Sequence, residues 1–115
     1  MDLDLTTSVG LSNQYLRYNK KYFLGRLPRI GVLWRKPYDS NHAAEFVTYT
    51  DGVEVILINP KLKRFENYTL QTMLHEMCHV KLRNHPNPKV CTGHGKLFHK
   101  EMLRLAKLGA FRSLW

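Results

Sequence analysis

In the first part of the chain, apolar side chains recur at Leu11, Tyr15, Leu16, Tyr18, Tyr22 and Phe23, roughly the three-and-four spacing of one helix face. The pattern predicts a helix over residues 7–23, with Thr6, Thr7 or Ser8 as its cap. The segment GRLP stops it, because glycine accepts left-handed torsion and the residue before a proline is pushed out of the helical region. Residues 29–34, 44–49 and 53–58 then replace helical spacing with β-branched and aromatic runs, and TDG between the last two suits a tight hairpin turn. A small, mainly antiparallel sheet of about three strands is expected. Asn59 and Pro60 close the last strand, and helical spacing resumes over residues 67–84. HPNP at 85–88 ends that helix, since proline has no amide to donate, and a loop runs on to Gly93. A third helix over residues 94–108 carries Leu97, Phe98, Met102, Leu105 and Ala106 on one side, with Gly109 as its stop. Helix, strands, helix, helix is the order of an α+β fold.

Composition narrows the setting. The chain has 115 residues, 43% hydrophobic and 23% charged, the balance of one soluble globular domain over residues 1–115. Its longest strictly aliphatic run, residues 55–58, is far short of the roughly 20 apolar residues that span a bilayer. The opening MDLDLTTSVG is acidic where a secretory signal is basic, so a cytoplasmic setting is expected, nucleoid-associated or nuclear according to the source. Cys78 and Cys91 are too few for a disulfide framework and are expected to stay reduced, Cys78 as a small buried hydrophobe. His42 and His99 are expected at the surface, and Trp34, Trp115 and the tyrosines in core and rim.

Charge is distributed unevenly. Residues 1–60 hold seven Lys and Arg against six Asp and Glu, a net +1, whereas residues 61–115 hold eleven against three, a net +8. Solvated helix faces would account for some of this. Basic residues gathered in one half also attract phosphate backbones without reading sequence, so DNA is an expected partner of the C-terminal half.

That same half contains HEMCH, residues 75–79. At about 100° per residue, His75 and His79 lie about 40° apart on a helix, so both rings can converge on one ion. Glu76 lies about 60° from His79, beside the ion's position and within reach of a water there. Leu70, Met73, Leu74, Met77, Cys78 and Val80 fill the opposite arc, which leaves both histidines on the polar face with Tyr68 and Thr72. An ordinary wet helix face has the same pattern, and a catalytic zinc site needs a third protein ligand. His85, Glu101 and His94 are the candidates. His85 has a spacing used by other zinc peptidases, but Leu82 stands where their turn needs glycine. Glu101 would complete a two-histidine, one-glutamate set, or be a solvated charge. His94, between Gly93 and Gly95, follows a fourteen-residue gap long enough for the chain to return.

HEMCH, fourteen residues, then HGKLF resembles the SprT-like metallopeptidases, the family that includes the Spartan proteases of DNA–protein crosslink repair. YNKKYFLGRLP is similar to that family's first helix and its exit, and VILINPKL to its last strand. The resemblance implies a zincin-like fold with one Zn²⁺ per chain held by His75, His79 and His94, and Glu76 as catalytic acid and base. It implies a metalloendopeptidase acting on protein substrates near or crosslinked to DNA, the substrate held by an edge strand, taken as residues 53–58; a monomer is expected. Lys96 and Leu97 replace the proline and acidic residue common after HG, making that rim more basic. A zinc ribbon or recruitment tail is not expected. Two alternatives stand beside this reading: a peptidase dedicated to one regulatory protein, and a DNA-binding module with structural zinc and no proteolysis.

Overall fold

The computed structural model describes residues 3–114, apart from the side chains of Cys91 and Thr92. Among these the chain forms helix α1 (Ser8–Tyr22), strands β1 (Gly31–Trp34), β2 (Ala44–Thr48) and β3 (Glu54–Ile58), a 3₁₀ turn at Pro60–Leu62, and helices α2 (Glu66–Leu82), α3 (Pro88–Thr92) and α4 (Lys96–Lys107). The fold is α+β. Trp115 lies outside the described residues.

Of the three candidate caps for α1, Thr7 is used, its hydroxyl accepting the Gly10 amide at 2.9 Å. From the last turn of α1, Asn19 fixes the exit by bonding Leu27 twice, through Nδ2 to the carbonyl (2.9 Å) and Oδ1 to the amide (3.1 Å). Tyr15, fully buried, donates its hydroxyl to the Pro28 carbonyl at 2.6 Å. The chain is thereby delivered to β1 alongside α1.

The sheet order is β1-β3-β2. β2 and β3 form the expected hairpin, closed by the Tyr49 amide on the Val53 carbonyl (2.8 Å), with Gly52 at φ 90°. β1 pairs with β3 in parallel, so the sheet is evenly mixed instead of mainly antiparallel. The link over residues 35–43 carries the chain around the end of β3 to the other edge. Buried Asn59 holds that link, its amide nitrogens bonding the carbonyls of Ala43, Ser40 and His42. Residues 53–58 are therefore the central strand, not the edge strand. Val55, Ile56, Leu57 and Ile58 are all buried, as a strand covered on both faces requires.

The two edges differ. In β1 the outward amides of Val32 and Trp34 donate to the hydroxyls of Ser12 (3.0 Å) and Ser8 (3.0 Å) on α1, and Ser12 donates to the Val32 carbonyl (3.1 Å). In β2, Asn59 bonds Ala43 and Tyr49 bonds Val53, so odd-numbered residues face β3 and Ala44, Phe46 and Thr48 turn their backbone groups outward.

α2 lies at the centre, packed against β2, β3 and α4. Its inner positions Met73, Leu74, Met77, Cys78 and Val80 join Leu11, Val32, Ile56, Ile58, Phe98 and Leu105 in one core. Burial extends to Glu76 and His79, both under a tenth exposed, because neighbouring elements cover the polar face as well. The ordinary wet helix face, the other reading of this pattern, therefore does not hold at His79 and Glu76. The prolines also act differently than expected: α2 ends at Leu82, before them, and Asn87 and Pro88 start α3, with Asn87 capping Lys89 at 3.0 Å.

Candidate metal centre

Helical spacing brings His75 and His79 to one side of α2, with ring centroids 5.2 Å apart. α3 brings in the third ring. It ends where the Gly93 amide bonds the Lys89 carbonyl (3.0 Å), and a Cβ on Gly93 would stand 2.4 Å from that oxygen. Only glycine lets the chain turn so closely, and the next residue is His94. His94 Nε2 lies 3.2 Å from His75 Nε2 and 3.1 Å from His79 Nε2. Candidate ligand atoms of these three residues all fall within 4.8 Å of one another.

Such spacing suits a shared metal ion better than a hydrogen-bonded cluster. An imidazole nitrogen has one in-plane position, filled by a proton or a lone pair, so His94 Nε2 cannot make two good hydrogen bonds. One cation satisfies three lone pairs together. Around a tetrahedral ion with bonds of about 2.0–2.1 Å, two ligand nitrogens stand about 3.3 Å apart, close to the spacing seen. Burial, helped by the nearby His94 charge, lowers the pKa of His75 and favours the neutral, metal-binding form. The residues present fit a divalent ion held by nitrogen.

Phe98 lies beneath all three rings, its centroid 4.8 Å from His75 and 4.7 Å from both His79 and His94. It is buried and stacks on His79 at 28°. Glu76 borders the cluster. Burial first, and then the Glu45 charge, push its pKa up to about 7, against a hydrogen bond from the Phe46 amide that favours the ionised form. A divalent cation beside it would pull the value back down.

The other candidates lie apart from the cluster. In the turn after α2, His85 accepts the Asn87 amide through Nδ1 at 3.1 Å. Glu101 is not a solvated charge; it is buried on α4 and paired with Lys81 and Arg104. Burial alone would raise its pKa, but the two cations outweigh burial and lower it. Cys78 is buried as expected, its thiol 3.6 Å from Met102 Sδ, with burial pushing its pKa up to about 12. The side chain of Cys91 lies outside the described residues.

A cleft of about 710 Å³ opens over the cluster. Tyr68 and Thr72 line it, as the sequence suggested. So do Glu45, Phe46 and His42, which sequence reasoning left on a strand and at the surface. The signal for the strand was present: an unbroken aliphatic run in β3 marks a central strand and leaves residues 44–48 as an edge. For His42, whose Nε2 is 3.4 Å from Asp39 Oδ2, no local signal exists, because the Asn59 bonds that fold its loop toward the cleft are long-range.

A helix bearing HEMCH, packed between a mixed sheet and a helix that follows a third histidine, defines a metallopeptidase-like domain of the zincin kind. More narrowly, the chain belongs to the SprT-like family, whose model matches residues 11–113. Comparison with curated proteins and with solved structures gives no match. Among the described residues no helix is long and apolar enough to cross a membrane.

Proposed function

We propose that the chain is a zinc-dependent endopeptidase acting on proteins associated with or crosslinked to DNA, with His75, His79 and His94 as ligands and Glu76 as general acid and base. The observation that carries this is the double approach of His94 Nε2 to the other two imidazoles, which a shared cation explains and hydrogen bonding does not. Bound zinc supplies Lewis acidity toward a peptide carbonyl and an attacking water. Glu76, poised by burial, takes the proton of that water and passes it to the departing amine. With the Phe46 amide taken by Glu76, the outward backbone groups of Ala44 and the outward carbonyl of Phe46 in β2 hold the substrate extended, a mode that reads little sequence. This role moves from residues 53–58 to β2, because β3 is central. Three histidines meet here among the described residues, the protein-ligand number of a catalytic zinc site.

Association with DNA is supported by the +8 of residues 61–115, of which Lys96, Lys100 and Lys107 are exposed on α4. The deciding experiment is Glu76→Gln. It should keep about one zinc per chain and lose cleavage by about 10²-fold or more. Parental cleavage in that variant would refute the mechanism. DNA affinity, measured separately, should fall steeply between 50 and about 200 mM salt, and a flat response would remove the DNA component alone.

A further inference from the structure

Two ligands of the cluster sit on α2, but the third sits on the turn into α4, fifteen residues after His79. Their meeting depends on how α4 lies against α2. Apolar contacts at Phe98, Met102 and Leu105 press the helices together, yet such contacts are non-directional and permit sliding or rotation.

A directional contact is present next to them. Lys81, two residues past His79 on α2, reaches both carboxylate oxygens of Glu101, at 2.6 and 2.7 Å. Arg104 contacts the same two oxygens from one turn along α4 through Nε, at 2.9 and 3.2 Å. Its Nη1 donates to the Tyr22 carbonyl at 2.7 Å, and its guanidinium carbon lies 5.0 Å from the centre of the Phe23 ring. Glu101 thereby links α4 to α2 directly and to the end of α1 through Arg104. It lies one turn beyond Phe98, the ring that touches all three imidazoles.

We propose that the Lys81–Glu101–Arg104 cluster is a positioning device for metal capture: it fixes the axial position and rotation of α4, and so holds His94 in register with His75 and His79. Only Glu101 of the three is buried, and such pairs add little net stability, because desolvation of the carboxylate and solvent screening of the cations offset attraction. The cluster's use here is geometric. The inference rests on the reading that the three histidines hold a metal, and not on proteolysis.

Zinc affinity of the full chain, measured by competition with a chromophoric chelator, tests it. Glu101→Gln keeps the side chain's shape and removes its charge. Zinc affinity should weaken about 10–100-fold, the range for residues that orient metal ligands, at temperatures where circular dichroism shows a parental fold. A second variant, with Lys81→Met, Glu101→Leu and Arg104→Met together, replaces the cluster by apolar packing. It should hold parental stability and still bind zinc weakly. Cobalt(II) gives an independent readout, since the shape and intensity of its visible bands report coordination geometry. Both variants should show altered band shape, whereas a merely structural role would leave the shape parental and scale its amplitude with folded protein. Parental zinc affinity and cobalt spectrum in either folded variant would overturn the inference while leaving the metal site standing. A parent that binds neither metal would overturn the metal site, and this inference with it.

Discussion

At the β1 edge, the outward amides of Val32 and Trp34 end on serine hydroxyls of α1; at the β2 edge, Ala44 and Phe46 face a cleft, where Phe46 donates to the Glu76 carboxylate. Unpaired sheet edges invite another chain, and proteins cover them unless pairing is useful. Here one edge is closed by side chains of the same chain, and the other is left beside three converging histidines. The difference gives the first edge a part in stability, and under the proposed function it leaves the second for substrate contact.

Four measurements can break or sharpen that contrast. On the open edge, a cleaved peptide carrying one backbone N-methyl group at a time should lose cleavage by about tenfold or more at every second position near the scissile bond, since each methyl removes a donor and blocks pairing. Equal loss at all positions, or at none, would argue against strand pairing with β2.

Glu76 gives a second effect, read in stability. Below pH 4.5 its carboxyl is protonated in both folded and unfolded chains, and above that the unfolded chain ionises first, because the folded pKa is raised to about 7. In metal-free protein this should make stability fall as pH rises from 4.5 toward 7, by up to about 3 kcal/mol. His75, with its lowered pKa, works in the opposite sense, losing stability as pH falls. The difference in urea stability between parent and Glu76→Gln isolates the glutamate, and it should vanish at low pH.

On the closed edge, Ser12→Ala strands both backbone groups of Val32 and should cost about 2 kcal/mol in urea unfolding, with kcat/KM unchanged. Ser8→Ala strands only the Trp34 amide and should cost about 1 kcal/mol. If either serine variant altered kcat/KM with zinc content intact, the two edges would not be functionally separate.

Much of this was legible along the chain because it is local. The periodicity of α1 and α2, the TDG hairpin and the pairing of His75 with His79 depend on residues within a few positions of one another. α3 was missed although its start is written locally: Asn87 then Pro88 is a cap followed by a first-turn proline, and the segment reads as a breaker only if both prolines are assigned to the end of α2. The parallel placement of β1 was not legible, since the run GVLW is compatible with either direction. Nor was the burial of His79 and Glu76, which depends on β2 and α4 covering a face that looks polar on a helical wheel. Glu101 shows the same limit. One glutamate in a helix can be a solvated charge, a ligand or an ion-pair centre, and only Lys81 and Arg104 beside it decide.

Taken by itself, the sequence determined the helical pairing of two imidazoles with a flanking carboxylate, the punctuation between elements, the basic second half and, by resemblance, the family. Each follows from spacing or composition, which act over one or two turns of chain. Tertiary structure alone decided which edge of the sheet faces the cleft and what charge surrounds Glu76, and it brought His94, the ligand the resemblance implied, and not His85 or Glu101, beside the pair. Those depend on contacts between residues tens of positions apart, whose geometry is set by packing and by the few directional bonds that hold α4 against α2.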